Sequence, residues 1–286
     1  MKFNHSQILA LCEEIAMPAE PTEAIVKIIK DHDFPGYEDC FNKLFSLDTG
    51  DEGRKKIESE LKENANSLKP LAVYLAAALR TWDLYEKLGI SRSIFVDSMG
   101  GFSRFVGEHL ETYGFYGFDR DFWIYRVLSA SLFRLGTLEF EMRSCPNNEM
   151  LEGYAVEGDK LISVHIPSDA VMTRDNLNQS YEMAGQFFKK YFPEYGDVII
   201  YCRTWLLAPE LKSLLPEGSK ILEFQSDYKI INTSSGDTNF IKWVYKKNYD
   251  DYTRLPENTT LQRNIKNFLL SGGQMSSATG INSYSN

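Results

Sequence analysis

The segment from Lys160 to Tyr191 joins a predicted strand, a turn and a predicted helix in a way that suits an anionic ligand. Residues 161–167 alternate between two faces, and Pro167 removes a backbone donor where the strand ends. Thr173 is a suitable N-cap for a helix whose apolar residues recur at three- and four-residue spacing. The first amides of a helix lack a carbonyl partner and commonly bind phosphate. The turn at residues 168–174 is therefore a candidate site for a phosphorylated cofactor.

Three ionisable side chains accompany this segment. His165 lies near the end of the strand, where an imidazole can act as a base near neutral pH. The alternative is a buried histidine bonded to a backbone carbonyl. Glu139 and Glu141 alternate with apolar residues, so both acids share one face of a predicted strand. The alternative for the two acids is the solvated face of an edge strand.

The predicted strand that follows the helix carries a second set of candidates. Tyr201, Arg203 and Trp205 share one face of it, while Cys202 takes the other. Trp205 has the alternative role of a core aromatic residue. Cys202 is interpreted as a small buried apolar residue and not a nucleophile, because no histidine neighbours it in the sequence.

The order of the predicted elements is that of an α+β protein. Around the strand that carries His165, the patterns predict helices at Phe122–Leu135 and Pro209–Leu215, and strands at Gly136–Arg143, Leu151–Lys160, Asp197–Leu207, Lys220–Asn232 and Thr238–Lys247.

Residues 1–88 are predicted to form an all-helical N-terminal domain, which Gly89 ends and after which Ser91 caps the next helix. A second domain is expected over residues 89–275. Residues 276–286 are rich in serine, glycine and asparagine and are expected to be a flexible tail. The helices of the first domain are predicted at Ser6–Ala16, Pro21–Lys30, Asp51–Asn66 and Lys69–Leu88.

Several stretches resemble a bacterial family of N-acyltransferases, in which a helical N-terminal domain precedes a GNAT-like C-terminal domain. They are WDLYEKLGIS, FDRDFWIYRVLSASLFRLGTLEFEM, ISVHIPSDA, YCRTWLL-PEL and LP-NTTLQRNIKNFLL-GG. The resemblance extends from about Phe34 to Gly273. It implies a mixed sheet flanked by helices. It also implies transfer of an acyl group from coenzyme A to an amine by direct attack, and it leaves the amine unidentified.

The resemblance also implies where acyl-CoA would bind. The pantetheine would pair with the end of the strand near Ser163 to Pro167, and the diphosphate would rest on the turn that follows. The residues expected to bind the cofactor are Val164, Ile166, Ser168, Asp169, Ala170, Val171, Met172, Thr173 and Arg174.

The candidate catalytic residues are His165, Glu139, Glu141 and Tyr201, because acyl transfer to an amine needs a base, directly or through water, and an acid for the leaving thiolate. Arg203 and Trp205 are expected to line the pocket of a small-molecule amine acceptor.

The turn departs from the GNAT pattern, which commonly has a glycine-rich loop at this point. Residues 168–174 contain no glycine, and Asp169 and Asp175 would repel phosphate if they faced it. Arg174 and the neighbouring hydroxyl groups can compensate. The departure motivates a second hypothesis, in which the chain keeps the fold but is a catalytically degenerate binding or sensing module.

Composition excludes other classes of protein. The net charge of −9 argues against nucleic-acid binding. No apolar run is long enough to cross a bilayer, and the N-terminus does not resemble a signal peptide. The cysteines are scattered, which favours the reducing cytoplasm. His5, His32 and His109 lie apart from one another, and no ligand spacing predicts a metal. The oligomeric state is left open.

Overall fold

The computed structural model describes residues 5–31, 38–46, 48–61, 67–146, 151 and 153–284. His32 and residues 62–66 of one predicted helix lie outside these ranges. The chain divides into two compact units, Met1–Arg134 and Leu135–Asn286. The boundary expected near Gly89 is therefore wrong, because two further helices belong to the first unit.

The first unit is helical, as predicted. Gly89 ends one helix with φ 71°, a conformation that favours glycine, and the Ser91 side chain accepts from the amide of Ile94, so both predicted caps are confirmed. No helix within the described ranges is long and apolar enough to cross a bilayer. The helices are α1 (His5–Glu14), α2 (Ala19–Asp31), α3 (Glu38–Leu44), α4 (Gly50–Leu61), α5 (Leu68–Leu88), α6 (Arg92–Tyr113) and α7 (Asp121–Leu128).

The second unit is built on a mixed sheet of the order β1-β2-β3-β4-β6-β5. Strands β3 and β4 are parallel, and the pairs β2–β3, β4–β6 and β5–β6 are antiparallel. The elements are β1 (Leu132–Leu135, which crosses the division), β2 (Leu138–Ser144), β3 (Lys160–His165), α8 (Arg174–Tyr191), β4 (Ile199–Thr204), α9 (Leu211–Leu214), α10 (Lys220–Gln225), β5 (Tyr228–Ser235), α11 (Asn239–Tyr245), α12 (Thr260–Leu270) and β6 (Ser276–Asn282). The predicted fold class, a helical region followed by a mixed sheet flanked by helices, is confirmed.

Helix α8 covers the apolar face of the sheet. Tyr181 of α8 packs edge-to-face on Phe140 of β2, and its hydroxyl group lies 3.1 Å from that of Tyr228. Leu177 and Ala184, one turn before and after Tyr181, are fully buried. The other face of β2, β3 and β4 therefore carries the polar residues of the alternating pattern.

One predicted strand begins as a helix in the structure, and another is a helix. Residues 220–225 form α10, and only the later part of that prediction is a strand, β5. Residues 239–245 form α11, in which Phe240, Ile241, Val244 and Tyr245 are buried. Their spacing of one, three and one fits a helix that buries one face, so the prediction of a strand from this apolar run is wrong.

Two other boundaries also differ from the prediction. The helix predicted at Phe122–Leu135 ends at Leu128, near Ala130 with φ 52°, and β1 follows. The described residues 151 and 153–159 form turns and no strand. The backbone of Cys145 bonds to Asp159 and Gly158 instead, which closes a loop before β3.

The predicted flexible tail is wrong for residues 276–282. These residues form β6, which pairs with β4 on one side and β5 on the other, and all seven are buried. Their small polar side chains have the composition of a mobile terminus. The two neighbouring strands nevertheless satisfy their backbone groups and remove them from water.

Candidate active site

The parallel strands β3 and β4 separate at the site. Their register runs from Leu161–Ile199 to Ser163–Tyr201 and ends there, although β3 continues to His165 and β4 to Thr204. We call the gap between residues 164–165 and 202–204 the strand opening. The carbonyl group of Val164 accepts from the Cys202 thiol at 3.3 Å at its base.

The polar residues beside the opening lie on one face of the sheet, here called the site face. Glu141 is opposite Ser163, which is opposite Tyr201, and these three residues form a row across three strands. Glu139 is opposite His165 one step further along. The structure therefore brings together all four residues that were candidates for catalysis.

Glu141 and His165 are in direct contact. The Nε2 atom of His165 lies 2.8 Å from Oε2 of Glu141, whose side chain is only 3% exposed, while that of His165 is 24% exposed. Glu139 is also buried, so the solvated-face alternative is wrong for both acids. A buried carboxylate orients an imidazole and stabilises its protonated form. The pair is equipped to accept a proton from a molecule that reaches His165.

Arg143 was missed in the sequence, although it follows Glu141 by two residues and must share its face. Its Nη1 atom lies 3.6 Å from Oε2 of Glu141.

Burial raises the pKa of Tyr201, against the opposing effects of Arg143 and of a hydrogen bond with Ser163. Tyr201 is therefore protonated at neutral pH and can donate a proton or a hydrogen bond.

The turn after β3 is anchored from two sides. The amide of Val171 donates to Oγ1 of Thr137 at 2.7 Å, and the amide of Thr137 donates to Oγ of the buried Ser180 at 2.8 Å. Gly136, beside Thr137, has φ 69°, and a Cβ atom there would lie 2.6 Å from Oγ of Ser180. The turn between β1 and β2 therefore fixes the turn before α8. Thr137 and Ser180 carry no sequence signal for this role.

The start of α8 has the predicted cap. The side chain of Thr173 accepts from the amide of Asn176, and the amides of Arg174 and Asp175 follow it in the first turn, where a helix supplies no carbonyl partner. The residues from 168 to 174 all have negative φ, so the backbone does not require the missing glycines. Asp169 and Asp175 are exposed.

Arg174 is engaged away from this turn. Its Nη1 donates to Oδ1 of Asp227 at 2.6 Å, and its Nη2 donates to the carbonyl of Glu223 at 2.6 Å. Burial raises the pKa of Asp227, and the ion pair with Arg174 opposes that rise. The amides of Arg174 and Asp175 in the first turn of α8, more than this guanidinium, are thus available for an anion.

The two residues predicted to line an acceptor pocket separate. Arg203 is exposed on the site face and lies opposite Thr279 of β6. Trp205 is not on β4, which ends at Thr204; it begins a 3₁₀ turn and packs on the apolar cluster around Phe240. The prediction that Trp205 shares a strand face with Tyr201 and Arg203 is wrong. Its packing agrees with the alternative role of a core aromatic residue. Cys202 is fully buried, and burial raises the pKa of its thiol.

No group of histidine, cysteine or acidic residues suited to a metal ion occurs among the described residues.

Comparison with solved structures supports the fold. An acyltransferase in complex with decanoyl-CoA superimposes with a TM-score of 0.75 at 21% identity, over 95% of this chain and 86% of that one. An acyltransferase in complex with decanoyl-CoA and teicoplanin gives 0.73 at 19%, over 95% and 86%. A mutant acyltransferase in complex with octanoyl-CoA gives 0.74 at 18%, over 96% and 87%. No curated protein sequence matches the chain.

Family models match nearly the whole chain. The N-acyltransferase N-terminal domain matches residues 6–130, and the GNAT-like C-terminal domain matches residues 132–282. The two matches meet close to the division between the compact units. The second match alone covers more than half of the chain, and the chain belongs to the family defined by this GNAT-like C-terminal domain, preceded by the N-acyltransferase N-terminal domain.

Proposed function

We propose that the protein transfers an acyl group from an acyl-CoA thioester to the nitrogen of a small-molecule amine. The observation that carries this proposal is the strand opening, with His165 and its carboxylate partner beside it. Separated parallel strands leave backbone donors and acceptors along their facing edges, where an extended pantetheine can pair. The family match and the acyl-CoA complexes of similar folds agree with this use.

The proposed cofactor path follows the chain from β3 into α8. The pantetheine would lie along residues 164–166, and the diphosphate on the turn 168–174, where the first amides of α8 and its dipole favour negative charge. The octanoyl and decanoyl groups bound by similar structures make medium-length chains the first donors to test.

The proposed reaction uses the residues of the site face. The amine nitrogen attacks the thioester carbonyl carbon and loses a proton to His165, which Glu141 orients. The new C–N bond forms as the C–S bond breaks, and the sulfur leaves with the bonding electron pair. Tyr201 donates a proton to that sulfur, and the proton held by His165 returns through solvent to the tyrosine. The products are an amide and free coenzyme A.

A thermal-shift titration tests the donor site. Decanoyl-CoA, octanoyl-CoA, acetyl-CoA and coenzyme A are each compared with ATP as a control phosphate ligand. A ligand that binds only the folded state stabilises it by RT ln(1 + [L]/Kd), about 2.7 kcal/mol at 100 times Kd. We expect a dose-dependent rise in Tm with the coenzyme A compounds alone, followed by thiol release when an amine is added.

Two other results would count against the proposal. No shift at millimolar concentration would contradict acyl-CoA binding. A shift without thiol release, with every amine tried, would favour a binding or sensing module over an enzyme. Teicoplanin belongs among the acceptors tested, because one similar structure contains teicoplanin and another contains 10C-teicoplanin.

Thr137→Val is expected to weaken coenzyme A binding about tenfold, which corresponds to about 1.4 kcal/mol. The change removes the acceptor of the Val171 amide and so loosens the turn. Thr137→Ser keeps that oxygen and is the matched control. Isothermal titration with coenzyme A checks both variants, and equal affinity for the valine and serine variants would show that this anchor does not shape the site.

A further inference from the structure

Arg143 occupies a special position on the site face, at the end of β2. Its guanidinium lies 3.6 Å from Oε2 of Glu141, whereas Nε2 of His165 lies 2.8 Å from the same oxygen. Hydrogen bonds between nitrogen and oxygen normally fall between about 2.7 and 3.2 Å. The short hydrogen bond of the Glu141 carboxylate is therefore with the imidazole, and the guanidinium of Arg143 interacts with this carboxylate electrostatically at longer range.

The guanidinium of Arg143 can donate further hydrogen bonds. A guanidinium has five N–H donors in a planar fork, and within the described part of the chain none of those of Arg143 makes a hydrogen bond. The side chain is 37% exposed, so its head reaches solvent on the site face. An arginine that served only to neutralise Glu141 would gain from a direct two-pronged bond. Arg143 does not make that bond.

We propose that Arg143 binds a carboxylate of the acceptor, so that the acceptor is an amine with a carboxylate a few bonds from its nitrogen, as in an amino acid. This inference rests on the proposed function. The imidazole of His165 and the guanidinium of Arg143 both lie against one oxygen of Glu141. A molecule that presents its amine to His165 therefore brings a nearby carboxylate to Arg143.

Carboxylate is the favoured anion because of the charge already present. Glu141 is buried beside the guanidinium, and Glu139 lies on the same face. A single arginine next to a buried carboxylate attracts a monoanion with less repulsion than a phosphate dianion. The planar fork also matches the two oxygens of a carboxylate.

Matched acceptors test the proposal. Phenylalanine and phenylalaninamide differ only in the carboxylate, and phosphoethanolamine and ethanolamine test phosphate in the same way. We expect the amino acid to be the better acceptor, and Arg143→Gln to raise its KM by about 10–100-fold, since a hydrogen bond to a charged group contributes about 1.5–3 kcal/mol. The KM for phenylalaninamide should stay unchanged, and Arg143→Lys should fall between wild type and Arg143→Gln.

Lys160→Gln is the matched control, because it removes one positive charge from the neighbouring strand on the opposite face of the sheet. A second readout does not depend on turnover: with coenzyme A present, phenylalanine should raise the Tm of wild type and Lys160→Gln but not of Arg143→Gln.

Equal use of phenylalanine and its amide would overturn the proposal, and so would a preference for the phosphorylated amine. An equal loss with both acceptors in Arg143→Gln would make Arg143 a counter-ion of Glu141. Failure of the proposed function is recognised separately, since coenzyme A would then give no thermal shift in wild type.

Discussion

His165→Ala should lower kcat/KM for acyl transfer by about 10²–10⁴-fold, the usual contribution of a general base. The imidazole is partly exposed beside the strand opening and is held by a buried carboxylate, so its removal takes away the group that accepts the proton of the amine. The affinity for coenzyme A should change little, because the backbone of β3 and the turn, and not this side chain, would hold the cofactor. Thiol-release kinetics and a coenzyme A titration separate the two effects.

The two acids on β2 offer a comparison within the same strand. Glu141→Gln should cost more activity than Glu139→Gln, because Glu141 makes the 2.8 Å contact with His165. An amide at position 141 can still accept a hydrogen bond but carries no charge to stabilise the imidazolium. A larger loss of activity for Glu139→Gln would show that Glu139, and not Glu141, supports the proton acceptor. Full activity in both His165→Ala and Glu141→Gln would remove the pair from the mechanism.

The site was largely accessible from the sequence because it depends on local alternation. Glu139 and Glu141 stand two residues apart on one strand, so their shared face follows from the pleat alone, whereas His165 joins that face only through the pairing of β2 with β3. Their register was not accessible, since nothing in a single strand says which residue of its neighbour lies opposite. The contact of Glu141 with His165, and the opening after Ser163–Tyr201, come from that pairing.

The C-terminal half of the second unit was harder to predict for a different reason. Short apolar runs fit a strand and a buried helix equally well, and α11 was assigned to the wrong class. Strand β6 was hard to predict for another reason. Its mostly small residues give no hydrophobic pattern, although all seven are buried. Its place depends on β4 and β5, which lie far from it in the sequence. Only non-local pairing distinguishes this strand from a tail.

A chain that ends at Met275 is therefore expected to lose the folded second unit. Removal of β6 takes the strand between β4 and β5 out of the sheet and leaves the facing backbone edges of both without partners. Each unsatisfied buried group costs about 1–3 kcal/mol, and several such groups together exceed the usual stability of a domain. Circular dichroism and calorimetry should show loss of strand signal and of the cooperative transition of this unit, and coenzyme A should give no thermal shift.

A pair of glycine substitutions tests the same strand without truncation. In Gly280→Ala the new methyl group would lie 2.9 Å from Cβ of Tyr228 and 3.2 Å from Leu207, so we expect a loss of about 1–3 kcal/mol. Gly185→Ala is the matched control in α8, where nothing lies within 4 Å of the added methyl group, and it should stabilise by about 0.5–1 kcal/mol. A truncated chain that melts cooperatively, or a Gly280→Ala variant as stable as wild type, would mean that residues 276–282 are not part of the sheet. The opposite signs of the two glycine substitutions would locate β6 inside the core, and the loss of coenzyme A binding on truncation would show that the site depends on that strand.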